Sequence, residues 1–545
     1  MTAPARTRWL WLAAALLMLA EFLVFDRMTS RHHASVYPQW SDQIQYLSET
    51  YMCYDEWQAH GWWAGLRYSF TNPAAQGTLH DILAVPLFAL TGPSRSAALS
   101  LNMLAFLAWQ AALLVVVTRL SGSRALGWMA FGLLLCLAGP WAAGPGSAVD
   151  FRLDHGAMCL MGVTAIVALL TRGFRSRGWS VLFGVAVGVT VLERFLTGAY
   201  FAPIFFATAI WIAVTGDRRT RWLNLALAAL VAAVLAGPQF WINRTWIQNY
   251  YWVGHFTGTE SSARAPGLSA WASVQYVFHG LVNLQLGGFL LVTTAALTAL
   301  LVQAVGHARR RSFTWPDHDW LFTALAFSIL PAALLCLHRQ KSEYVLGILV
   351  PGLLLLVLWG WAALLRGCAD EPGARTNPFV PAAVLLSLLA GGGYFLYRQL
   401  PSPHSAGFLA ANAQIKRFAD KIHAASRTPA LAEPYLGFDH ISDAFDGTVM
   451  RLMGYERHRV WIPIRAVLPV SILEVTEADL QDRLRFCHFY MVTDEMPGHG
   501  HWPYDRQMVK LRPFLHTWCE QNLVKTDQFQ FLDRRMSLYQ RRDIP

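Results

Sequence analysis

Long apolar stretches alternate with short polar connections through the first four hundred residues, and beyond Pro401 the pattern becomes mixed. A helix crosses a hydrocarbon core of about 30 Å with roughly 20 apolar residues. Eleven stretches reach or approach that length: 9–25, 95–118, 125–137, 156–171, 181–192, 195–215, 222–242, 281–305, 320–337, 345–365 and 380–397. The stretches 125–137 and 181–192 are the shortest of them. A further apolar run, 82–90, is too short to cross and reads as a re-entrant or interfacial helix.

Arginine sets the orientation, because cytoplasmic loops of membrane proteins collect Lys and Arg. Arg6/Arg8, Arg119/Arg124, Arg172/Arg175/Arg177, Arg218/Arg219/Arg221, Arg309/Arg310/Arg311 and Arg366/Arg375 fall in every second connection. Those connections read as cytoplasmic, and the others as outer loops. An odd number of spans follows, with the N-terminus inside and everything after Tyr397 outside. Counting 82–90 as a span would invert every later loop. No small-residue cleavage site follows the first run, which therefore reads as an uncleaved span.

Two outer loops are long. The first, 26–81, carries Trp40, Tyr46, Tyr51, Trp57, Trp62 and Trp63, and aromatic residues of this kind favour the membrane surface. The second, 243–280, contains Asn249, Tyr250, Tyr251 and Trp252. After residue 397 the spacing predicts helices over 411–425 and 508–522 and strands over 486–492 and 536–539. The chain thus divides into a membrane domain, 1–397, and a small α/β domain outside the membrane, 398–545.

Composition agrees. Of 545 residues 54% are hydrophobic and 14% charged, against about 25% charged in soluble chains. The net charge of +10 sits in the arginine clusters, which accounts for it without nucleic acid. Among seven cysteines no pair has zinc-ligand spacing, and Cys487 and Cys519 can pair if their domain lies in an oxidising compartment. There is no phosphate-binding Gly-Lys loop, GxSxG elbow or HExxH, and no cytoplasmic segment is long enough to fold around a nucleotide sugar.

The candidate chemistry gathers in the outer loops. Asp42, in Ser41-Asp42-Gln43-Ile44-Gln45-Tyr46-Leu47, can take a proton from a hydroxyl or serve in a helix cap. Asp150, Arg152, Asp154 and His155 stand at the mouth of a span. They form either a self-paired cluster or an acidic site that orients an acceptor or a divalent metal. His338-Arg339-Gln340-Lys341-Ser342-Glu343-Tyr344 puts two cations on the outer side, against the sidedness rule. Binding of an anionic phosphate would explain them, as would a Lys341–Glu343 pairing. Glu193 and Arg194 read as an ion pair, either structural or part of the same anion site.

The order of these features resembles the GT-C superfamily of polyprenyl-phosphate-sugar-dependent transferases, which includes protein mannosyltransferases, aminoarabinose transferases and galacturonosyltransferases. The resemblance covers roughly the first 365 residues. It runs from the early acid in Trp40–Leu47, through Pro86-Leu87-Phe88-Ala89-Leu90-Thr91-Gly92 before Arg95-Ser96-Ala97-Ala98, to the basic loop leading into Val345-Leu346-Gly347-Ile348-Leu349-Val350-Pro351. The resemblance implies inverting transfer from a polyprenyl-phosphate sugar to an extracytoplasmic glycolipid, polysaccharide or protein. It implies Asp42 as catalytic base, with Asp150 or Asp154 as a second acid. Arg339, Lys341 and Arg194 become donor-phosphate contacts, and Arg152, His155, Tyr344 and Gln43 line the substrate. Gln43 stands where many relatives carry a second acid, which bears on metal binding in this loop.

Two other classes compete: a transporter or flippase of lipid-linked sugars, and a non-catalytic envelope assembly protein. A transporter would place its ionisable residues near mid-membrane, whereas here they collect at the outer loops. An assembly protein would tolerate Asp42→Ala.

Overall fold

The structure is a computed structural model, and it describes residues 3–38, 41–72, 74, 76–215, 218–257, 268–307, 318–338, 341–366, 378–400, 404–426, 435–438, 447–466, 476–494, 503–531 and 534–542. The chain forms two compact units. The first joins Met1–Thr29, Cys53–Phe256 and Gly267–Leu400, and the second joins Ser30–Met52, Thr257–Pro266 and Pro401–Pro545. The start of the first long loop, 30–52, thus packs with the C-terminal residues, where the sequence suggested a single boundary at 397.

The first unit is helical. Its opening helices are α1 (Ala3–Met28), α2 (Ser41–His60, shared with the second unit), α3 (Trp62–Thr71), α4 (Leu79–Thr91) and α5 (Arg95–Ser121). After them come α6 (Arg124–Leu135), α7 (Leu153–Leu170), α8 (Arg177–Glu193), α9 (Thr197–Thr215) and α10 (Arg218–Ile242). Helices Ala270–Gly280, Gly287–His307, His318–Leu337, Val350–Arg366 and Phe379–Arg398 follow. Nine helices among the described residues are long and apolar enough to cross a membrane. The other two expected spans form α6 and α8, of 12 and 17 residues. The expected span 281–305 lies within a longer apolar run, Ala270–Gly306. At 13 residues α4 extends about 20 Å, short of the roughly 30 Å a crossing needs.

Lipid-exposed helices gain little hydrophobic energy from meeting each other, so close packing decides their contacts. Between α6 and Phe379–Arg398, Gly132 and Gly391 supply it. A Cβ on Gly391 would overlap the Gly132 carbonyl, and one on Gly132 would overlap that of Ser387. Phe106, Trp109, Trp141 and Phe395 lie in the same buried core. The turn after α7 runs left-handed through Arg172, Gly173 and Phe174 (φ 51°, 64° and 68°). It is held from outside: Arg221 Nε donates to the Gly173 carbonyl (2.6 Å) and Asn224 to that of Phe174 (2.9 Å). Asp319 accepts from Arg175 (2.7 Å) and Trp211 (2.9 Å). Part of the arginine charge that marks these connections is therefore also structural.

The second unit is built on a five-stranded sheet of order β2-β1-β3-β5-β4. Its strands are β1 (Leu436–Phe438), β2 (Ile464–Ala466), β3 (Phe489–Thr493), β4 (Leu523–Phe531) and β5 (Arg534–Arg541). β1 runs parallel to both β2 and β3, while β5 pairs antiparallel with β3 and β4. Helices Ala406–Ser426, Gly447–His458, Glu477–Leu484 and Pro503–Asn522 accompany it. This is the expected small α/β domain. Cys487 and Cys519 are both buried in one apolar cluster, and the suggested disulfide between them is not formed.

Candidate functional site

A nest of buried ionic groups forms in the first unit where the N-terminal turns of α4 and α7 meet the C-terminal end of α8. The segment before α4 is laced to α8: Thr78 N donates to the Leu192 carbonyl (2.8 Å), and Phe195 N to that of Gln76 (2.6 Å). This pairing sets His80 and Asp81, 4% and 6% exposed, among the charges around Glu193. His80 Nε2 lies 3.2 Å from Asp81 Oδ1. Burial pushes the His80 imidazole down to about 3, so it stays neutral near pH 7.

The connection between α6 and α7 is pinned from α5. Asn102 donates its amide to the carbonyls of Ala148 (3.1 Å) and Asp150 (2.9 Å). The Asp150 carboxylate is fully buried, accepts from Gly146 N (2.7 Å) and forms an ion pair with Arg152, Nε lying 3.1 Å from Oδ2. Arg152 stands at the N-terminal boundary of α7, and its guanidinium lies over the Tyr344 ring, 5.1 Å from the centroid. Asp154 pairs with Arg194, so the expected Glu193–Arg194 pair gives way to one between α7 and the residue after α8. His155 is buried, with Nε2 3.2 Å from the Asn102 carbonyl and 3.6 Å from Cys159 Sγ. A ring nitrogen facing a carbonyl carries the proton, which fixes the tautomer.

Six of the residues singled out from the sequence, Asp150, Arg152, Asp154, His155, Arg194 and Tyr344, therefore meet in one place. Asp150 and Asp154 are the buried partners of two arginines rather than a surface cluster. Lys341 is engaged elsewhere: its ammonium donates to the carbonyls of Leu335 (2.8 Å), Cys336 (3.0 Å) and His338 (2.6 Å). It closes the C-terminal end of helix His318–Leu337, where a cation is favoured. That contact accounts for the wrong-side charge without a phosphate and replaces the suggested Lys341–Glu343 pairing. Asp42 lies in the first turn of α2, in the second unit, with Gln43 buried beside it. Arg339 and Trp40 lie outside the described residues. Among the described residues no group of three or more His, Cys, Asp or Glu side chains is placed to hold a metal ion.

Beside the nest opens a cavity of about 490 Å³. Ligand sites commonly measure roughly 300–1,000 Å³. Leu83, Pro86, Leu87 and Leu90 of α4, Leu101, Leu104, Ala105 and Ala108 of α5, and Leu160 of α7 give it apolar walls. Its polar lining is His80, Asn102, Arg152 and Glu193. Positions 101, 104, 105 and 108 form one face of α5, the spacing of a helical stripe. The walls come from three helices, so no single stretch of sequence announces the cavity. Of the polar lining, sequence reasoning singled out Arg152 and Glu193 and missed His80 and Asn102, which lie within or beside apolar runs.

No family model and no curated protein sequence matches the chain. Two crystal structures are similar over nearly its whole length. ArnT from Cupriavidus metallidurans bound to undecaprenyl phosphate matches with a TM-score of 0.58 and 15% identity, covering 96% of this chain and 97% of that one. The apo state of the same protein matches with a TM-score of 0.56 and 15% identity, covering 98% of each. At this identity the likeness shows the fold alone, and that fold agrees with the helical membrane domain and small α/β domain expected from the sequence.

Proposed function

We propose that this chain is an inverting membrane glycosyltransferase that moves a sugar from a polyprenyl-phosphate donor to an extracytoplasmic acceptor. In this reading it sits in a bacterial inner membrane with its N-terminus cytoplasmic. The observation that carries the proposal is the cavity, which joins a leucine-lined trough to an arginine whose side chain is only 10% exposed. A lipid phosphate has that shape: an apolar chain ending in an anion. Each buried methylene of such a chain contributes about 0.8 kcal/mol. The fold is shared with an ArnT that binds undecaprenyl phosphate.

The chemistry follows from the groups present. An acceptor hydroxyl attacks the anomeric carbon, its proton passes to a carboxylate, and the bond from that carbon to the phosphate oxygen breaks. The electron pair leaves with the phosphate, and direct displacement inverts the centre. Arg152, fixed by Asp150 below and Tyr344 beside it, stabilises the charge that grows on the leaving oxygen. The resemblance assigns the proton to Asp42.

The test compares membranes of the wild type, a deletion strain, Arg152→Gln and Asp42→Asn, with mass spectrometry of envelope lipids and glycans. The deletion removes one sugar modification. Arg152→Gln lowers both modification and binding of undecaprenyl phosphate, while Asp42→Asn lowers modification alone. An unchanged envelope in the deletion strain would overturn the proposal.

A further inference from the structure

Two of the acids around the cavity hold arginines, a third lies against a neutral imidazole, and a fourth has neither. Asp150 holds Arg152, Asp154 holds Arg194, and Asp81 lies against His80. Glu193 is only 6% exposed, it lines the cavity, and among the described residues its carboxyl has no hydrogen bond or ion pair. Its space is made by α7: a Cβ on Gly156 would overlap Glu193 Oε1. The charges acting on it are Asp81 from α4, Asp154 from α7 and its neighbour Arg194. His80, from α4, and Arg152, at the start of α7, share the cavity lining with it, and buried Cys159 of α7 feels its charge. An unpaired carboxyl in an apolar cavity is costly, and its burial beside two other acids makes it more so.

We propose that Glu193 is a specificity residue that sets the cavity against a lipid phosphomonoester and in favour of a lipid phosphodiester. This rests on the reading that a lipid phosphate occupies the cavity. The sugar-loaded donor is a phosphodiester with a single charge. Once the bond to the anomeric carbon breaks, the phosphate keeps the electron pair and becomes a monoester, whose second ionisation falls near pH 6. Coulomb repulsion scales with charge, so Glu193, where it is ionised, opposes the dianion about twice as strongly as the monoanion. Screening is weak because the site is buried. Arg152 holds either lipid; Glu193 adds the difference, retaining loaded carrier and expelling spent carrier.

The experiment uses the full chain, purified, with two probes that need no knowledge of the sugar: undecaprenyl phosphate and its methyl diester. At pH 8.5 the wild type binds the diester more tightly. In Glu193→Gln the monoester gains about tenfold in affinity and the diester about threefold, the square root that a halved repulsion energy gives. Glu193→Asp keeps the wild-type ratio. A second measurement needs no variant: calorimetry in two buffers of different ionisation enthalpy shows more proton uptake with the monoester than with the diester. An unchanged ratio in Glu193→Gln, or equal proton uptake with both probes, overturns the proposal. If neither probe binds the wild type, the lipid-phosphate reading itself falls and this inference with it.

Discussion

Asp150→Ala tests whether the nest around Arg152 is as tightly built as its geometry implies. The carboxylate is fully buried, receives Gly146 N at 2.7 Å and faces Arg152 Nε at 3.1 Å, and the arginine side chain is only 10% exposed. Removing one partner of a buried pair costs about 3–5 kcal/mol, because the other charge stays behind. The Gly146 N–H, left without its acceptor, adds about 1–3 kcal/mol where water cannot reach it. Relaxation of the 144–150 connection recovers some of this, so we expect about 4 kcal/mol for Asp150→Ala. Asp150→Asn keeps an oxygen for Gly146 but still leaves the Arg152 charge without its counter-charge, so it should cost about 3 kcal/mol, the low end for a broken buried pair. The double variant Asp150→Ala/Arg152→Ala removes both charges and should cost clearly less than the sum of the singles. Thermal unfolding of the purified full chain in detergent gives all four values. Asp150→Ala within about 0.5 kcal/mol of wild type, or strict additivity of the pair, would refute the reasoning.

Gly391→Val forces a side chain into the Gly132 carbonyl between α6 and helix Phe379–Arg398. Overpacking costs about 1–3 kcal/mol and sometimes more, so the variant should lose monodisperse protein in size-exclusion chromatography, whereas Gly392→Ala, which meets nothing nearby, should not. In the second unit, the Arg457 guanidinium hydrogen-bonded to Asp420 (2.8 and 2.6 Å) holds that carboxyl below its usual range, and His458 adds to this. A depressed carboxyl contributes stability above its unfolded value, about 3.8, and that contribution is lost as pH falls through the folded value. Acid titration of stability should therefore fall more steeply below pH 4 in wild type than in Asp420→Asn. The difference should stay under about 1 kcal/mol, because the pair is largely exposed.

The long apolar helices were legible because membrane burial needs an uninterrupted run of the right length, and α5, α7 and α9 each carry one. The outline of the α/β domain was legible for a similar reason: buried Tyr490, Met491 and Val492 in β3 and Met536 and Leu538 in β5 betray themselves by composition. Strand β4 was not seen. Val524 to Gln528 are exposed, and this polar edge becomes a strand only through its register with β5. Strands β1 and β2, three residues each, are likewise defined by their partners. At the site, residue type pointed to the right neighbourhood but not to the pairings. Glu193 and Arg194 are adjacent in sequence, yet Arg194 reaches Asp154 and leaves the glutamate to the cavity. Lys341 looked like an anion ligand because a loop cation and a helix C-cap are the same letter until the carbonyls are placed around it.

A photoreactive polyprenyl phosphate, carrying its reactive group on the isoprenoid chain, bears most directly on where the donor binds. After illumination of the full chain and peptide mapping, the label should fall on α4 and α5, within residues 79–108, and should be displaced by unlabelled undecaprenyl phosphate but not by undecaprenol. Arg152→Gln should reduce it. Labelling spread over the membrane helices, or equal displacement by the uncharged alcohol, would contradict a donor held by its chain in the α4–α5 trough and by its phosphate at Arg152.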